Sequence, residues 1–128
     1  MKEKIIKVLK ISPHCKPEIV ELVNKLDNLQ EAVSEGADSV GLIEIIPLKD
    51  TASLLCNDEG KLIGLEPNRR IGHDIICGTF YVVGEDREGS LTSLSAKDME
   101  YFKVRFDVPE DISVEEVMNA LRFEIYPL

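Results

Sequence analysis

At 128 residues, with 44% hydrophobic and 30% charged positions, the chain has the size and balance of one globular domain with a packed core, which excludes a disordered segment. Its 24 acidic and 15 basic side chains give a formal net charge of −9, a field that repels polyanions and so argues against nucleic acid or an anionic membrane as partner. The three cysteines, Cys15, Cys56 and Cys77, are odd in number and far apart, the pattern of reduced thiols in a cytoplasm. Lys7 and Lys10 interrupt the apolar residues near the N-terminus, so no signal-peptide core is expected, and no stretch approaches the length of a membrane span.

In chain order, the Ile- and Val-rich run at residues 5–11 reads as a strand ending at Ser12-Pro13. Residues 18–33 carry two patterns. Ile19, Leu22, Val23, Leu26, Leu29 and Val33 fit one helical stripe, while "EIVELV" is equally good as a strand before a shorter helix capped by Asp27. Residues 40–46 read as a strand closed by Pro47, and residues 52–56 as another. The turn "NDEGK" then leads into Leu62 and Ile63 as a hairpin. Residues 75–83 are almost continuously apolar, which predicts one central strand covered on both faces, with a bulge or close backbone approach at Gly78.

Ser95 and Asp98 form a Ser-x-x-Asp cap, and Met99, Phe102 and Phe106 follow at helical spacing, so this helix should dock on the sheet through those three residues. Ser113 and Glu116 cap a second helix with a stripe of Val114, Val117, Met118 and Leu121, and "RFEIY" reads as a last strand. Residues 107–111 are the only seam. The expected fold class is α+β: a single domain with a mixed or mainly antiparallel sheet and two or three helices packed mostly on one face.

The chemistry-bearing residues are sparse. His14-Cys15 is a neighbouring pair, but Cys56, His73 and Cys77 are scattered, so the cysteines read as small buried apolar residues and no metal or cofactor is expected. "NDEGK" lacks the alternating acids of a calcium loop. Neither of the two histidines sits in a nucleophile or metalloprotease motif, and no glycine-rich phosphate loop is present, so the chain does not read as an enzyme. The remaining candidates are Asn68, Arg69 and Arg70. They read either as a turn whose arginines pair with abundant acids, or as a donor set for a nucleotide-like or carboxylate anion.

The runs "LLCNDEGKLIGLEPNRRI", "DIICGTFYVVGED" and "SLTSLSAKDMEYFKVRF" resemble the small phage- and plasmid-associated family called domain of unknown function 3846. The likeness rests on Asn57, Gly60, Lys61 and Leu62, on Asn68-Arg69, on Gly78-Thr79-Phe80, and on Ser93-Leu94-Ser95 before a helix ending in Phe106. The resemblance implies a compact α+β domain with no established activity, covering residues 1–106, with residues 107–128 as a C-terminal extension packed on it. It also favours a strand followed by a helix in residues 18–33. Together with the absence of a catalytic constellation, a spread among phages and plasmids leads to the expectation of a non-catalytic accessory protein of a mobile element that binds a host protein in the cytoplasm. A small-ligand binder around Asn68, Arg69 and Arg70 and an enzyme of unrecognised type are the alternatives. Within the pattern Asn68 and Arg69 are matched positions, whereas Arg70 is not.

Overall fold

A computed structural model describes residues 4–125. The first strand, β1 (Ile5–Ile11), forms an antiparallel hairpin with β2 (Glu18–Val23), and α1 (Leu26–Ala32) follows. Next come β3 (Ile43–Lys49) and β4 (Ala52–Asn57), paired antiparallel. A small two-stranded sheet, β5 (Pro67–Ile71) with β6 (Asp74–Cys77), precedes β7 (Phe80–Glu85) and the short β8 (Leu91–Thr92). The helices α2 (Ala96–Arg105) and α3 (Val114–Ile125) end the described chain. The large sheet has the order β2-β1-β7-β4-β3, with β8 also bonded to β7. No helix of the described residues is long and apolar enough to cross a membrane.

Strand alternation divides the core into two layers. On β7, Phe80 and Val82 face one side and pack with Leu9, Ile11, Leu54, Met99, Phe102 and Phe106. Tyr81 and Val83 face the other, where Ile6, Val8 and Leu55 meet Leu29 and Val33 from the α1 region. β7 is therefore covered on both faces, and this explains its unbroken apolar sequence. Aromatic packing fixes the α2 layer: the Phe80 and Phe106 rings meet edge to face at 5.4 Å, and Phe102 stacks on Phe106 at 6.2 Å.

The α+β class, the mainly antiparallel pairing and the three helices agree with the expectation. The placement of the helices is finer than expected: α2 packs directly on one face, α1 lies on the opposite face, and α3 reaches the domain against β6 through Ile75, Cys77, Ile112 and Val117. Residues 18–33 are a strand and then a helix. Asp27 does not cap that helix; Lys25 occupies the cap position without a side-chain bond, and Asp27 Oδ1 accepts from the Asn28 amide inside the first turn.

Other expectations are corrected. Residues 75–83 are two strands in two sheets, because Gly78 adopts φ +88° and a Cβ there would lie 2.7 Å from Leu65 Cδ1, so the chain turns at the one residue that fits. The run after Asn57 is no hairpin: Gly60 N donates to Asn57 O and Ile63 N to Glu59 O, helical-type turns that leave Leu62 and Ile63 exposed. Pro47 does not close β3, which continues to Lys49 across a register shift; β3 is an edge strand, where the missing amide is tolerated. Residues 122–125 are helical rather than a strand, and Tyr126 lies outside the described residues. Along α3, Val117 is buried while Val114 and Met118 are exposed, so the stripe is narrower than its spacing suggests.

Both predicted caps form. Asp98 N donates to Ser95 Oγ at 3.1 Å, and Glu116 N donates to Ser113 Oγ at 3.1 Å. Asp98 is itself buried. Burial alone would raise its pKa, but hydrogen bonds from Lys49 and Thr51 and the Lys49 charge outweigh it and hold the carboxyl below its ordinary value.

Candidate functional site

Asn68, Arg69 and Arg70 lie on a strand, not in a turn. Between Pro67, opposite Cys77, and Arg69, opposite Ile76, β5 carries one extra residue, so Asn68 is a β-bulge. The bulge breaks the alternation and turns two consecutive side chains inward. Asn68 is 0% and Arg69 1% exposed, whereas Arg70 points to solvent.

The two inward side chains join four parts of the chain. Asn68 Nδ2 donates to Ile11 O at the end of β1 and to Gly78 O at the link between sheets, each at 2.9 Å. Its Oδ1 accepts from Arg69 Nη1 at 2.8 Å. Arg69 Nη2 donates to Cys15 O at 2.7 Å and to Phe106 O at 2.9 Å. Phe106 is the C-cap of α2, so the guanidinium sits where the helix dipole favours a cation. Burial pulls the Arg69 pKa down, opposed mainly by the Glu110 charge. Arg69 Nε is buried without a hydrogen-bond partner.

Arg70 has a separate role. Its Nη1 donates to Glu110 Oε1 at 2.7 Å, and its Nη2 donates to Glu116 Oε2. These contacts link the hairpin to the segment before α3 and to the α3 cap, raising the Arg70 pKa and, with Ser113, lowering that of Glu116. The structure thus brings Asn68 and Arg69 together as an anchor and leaves Arg70 outside it. The three side chains do not face one common space.

The turn that carries Asn57, Gly60, Lys61 and Leu62 roofs a cleft of about 220 Å³, which also includes Glu44, Cys56 and Asp74. A Cβ on Gly60 would stand 2.6 Å from Cys77 O, so glycine alone lets the turn press against β6. Lys61 Nζ forms an ion pair with Asp74 Oδ1. Cys56 Sγ donates to Glu44 Oε1 at 3.8 Å; burial first, and then the Glu44 charge, push this thiol up to about 12. A thiol held so far above neutrality is a weak nucleophile. Cys77 is likewise buried, but Cys15 is exposed, contrary to the reading of all three as buried. Among the described residues no group of three or more His, Cys, Asp or Glu is placed to hold a metal ion.

On the opposite side of the sheet, α1 leaves part of the face open. A groove of about 360 Å³ runs between α1 and β3, lined by Leu26, Leu29, Leu42, Ile45, Leu55 and Leu91, with Ile43 and Gln30 completing it. No charged side chain lines it, in a chain with 30% charged residues. Leu26, Leu42 and Ile45 are each more than half exposed. Sequence reasoning missed both concavities, since each is assembled from segments distant in the chain; the exposed aliphatics carry no local signal that separates them from core residues.

No curated protein and no solved structure matches this chain. A family model does match, over residues 6–107, the region that includes the bulge, the anchor, the roofing turn and α2. By that match the chain belongs to the family described as Domain of unknown function (DUF3846).

Proposed function

We propose that this is a non-catalytic protein-binding domain, an accessory of a mobile genetic element that acts on a protein of the host cytoplasm. The observation that carries this reading is the groove between α1 and β3. Three large aliphatic residues, Leu26, Leu42 and Ile45, stand exposed around one uncharged concavity, and apolar surface clustered in this way marks an interaction site more often than a solvated face does. The groove borders β3, whose outer edge has no neighbouring strand among the described residues. An extended apolar segment of the host protein fits that combination, with backbone bonds to residues 43–46 and alternate side chains in the groove. Pro47 limits the pairing to that half of the strand.

The test is the Leu42→Glu variant. Because Leu42 is 66% exposed, its melting temperature should match the wild type, while a host protein purified on the wild-type domain should lose about tenfold or more in affinity for the variant. Unchanged affinity for the variant would remove the groove from the reading.

A second reading, small-ligand binding, draws on the cleft under the Asn57 turn. Its lining includes Glu44, Asp58, Glu59 and Asp74 against Lys61, a balance that suits a ligand bearing amine or guanidine donors better than the anion expected at Asn68, Arg69 and Arg70. Thermal-shift screening should then register amines and not nucleotides or organic acids. A shift with anions alone would contradict it.

A further inference from the structure

We propose that the outward face of α2 is a second docking surface, chemically unlike the groove beside α1, for a partner segment that mixes acidic with aliphatic or aromatic side chains. Lys97, Tyr101 and Arg105 recur at four-residue spacing and so form one stripe along α2, with Val104 beside it and Lys49 of β3 along its flank. Together with Glu100 they line a shallow groove of about 710 Å³. Tyr101 is 54% and Val104 69% exposed, which gives the groove an apolar floor.

The aromatic residue is held in place before any partner arrives. Lys49 Nζ lies 4.8 Å from the Tyr101 ring centroid and is itself fixed at 2.8 Å from Asp98 Oδ1, while the Tyr101 ring meets Phe102 edge to face at 4.9 Å. A rigid, half-exposed tyrosine flanked by arginine and lysine has the composition of an interface centre, because little side-chain freedom is lost on contact.

Charge selects the partner. The chain carries a net −9, yet Lys97 and Arg105 line this groove against the single carboxylate of Glu100 and stand outside every ion pair of the described residues, while Lys49 is held by the buried Asp98. At physiological salt a charge is felt over about 8 Å, so a short acidic segment seated here senses these cations more than the acidic surface beyond them. A nucleic acid, uniformly anionic along its length, would extend from the groove over that acidic surface. Carboxylates for the rim and apolar side chains for Tyr101 and Val104 are what the face complements.

The experiment is a display selection of random linear peptides on wild-type protein, with the enriched peptides then measured on Lys97→Glu/Arg105→Glu. Enriched peptides should interleave Asp or Glu with Leu, Phe, Tyr or Trp, and bind more weakly as salt rises. They should lose about tenfold or more in affinity on the double charge reversal and on Val104→Asp, while Leu42→Glu binds them as the wild type does. Both reversed side chains are exposed, so the double variant keeps the test valid if Val104→Asp fails to fold. The proposal is overturned by no enrichment, by peptides without acidic residues, or by equal binding to the double variant. Loss of binding in Leu42→Glu alone would place the peptides in the other groove and overturn it too. A single-stranded oligonucleotide that competes as well as the peptides would assign the face to nucleic acid and equally overturn it.

Discussion

Arg69→Ala is expected to destabilise the fold by about 3–5 kcal/mol, measured as a fall in the urea midpoint without a change in slope. The guanidinium supplies the hydrogen bonds that Cys15 O, Phe106 O and Asn68 Oδ1 accept, and these sit in or beside the core. Its removal leaves them without that donor, and each buried polar group so orphaned costs about 1–3 kcal/mol. Arg69→Lys should rescue little, because one ammonium cannot reproduce a planar fork that reaches the Asn68 side chain and two backbone carbonyls at once. Arg70→Ala is expected to leave the midpoint almost unchanged, since its ion pairs are exposed to solvent and screened there. A loss below about 1 kcal/mol for Arg69→Ala would show that the anchor is dispensable.

Phe102→Ala should have an effect of similar size, about 3–5 kcal/mol. The ring is fully buried between α2 and the β1–β7–β4 face, stacked on Phe106 and edge-on to Tyr101, so truncation opens a cavity that neighbouring elements cannot close without moving the sheet. Lys103→Ala, one residue on but outside that core, should leave the midpoint almost unchanged. Equal losses at the two positions would mean that α2 docks through a different face.

The parts of the fold that were legible are those written in local sequence. The caps at Ser95 and Ser113 and the stripe of Met99, Phe102 and Phe106 need only a few neighbouring residues to be read, and the structure repeats them. The division of residues 75–83 was not legible, because the cause is Leu65 lying where a Gly78 side chain would go, a contact made across the fold. The anchor was half legible. Asn68-Arg69 stood out as a motif, but the bulge that turns both side chains inward depends on register with β6, and their partners are mainly backbone carbonyls, which leave no trace in residue identity. The groove beside α1 was invisible for a related reason: nothing in the local sequence marks Leu26, Leu42 and Ile45 as exposed until a helix of only seven residues is seen to leave them uncovered.

Site-specific photo-crosslinking in host cells addresses the protein-binding claim most directly, with a photoreactive side chain at Leu42 and, as control, at the exposed Glu88 in the turn before β8. The account expects a discrete adduct with one host protein from position 42, absent from position 88 and lost when Ile45→Glu is added. Adducts of the same pattern from both positions, or none from position 42, would contradict it.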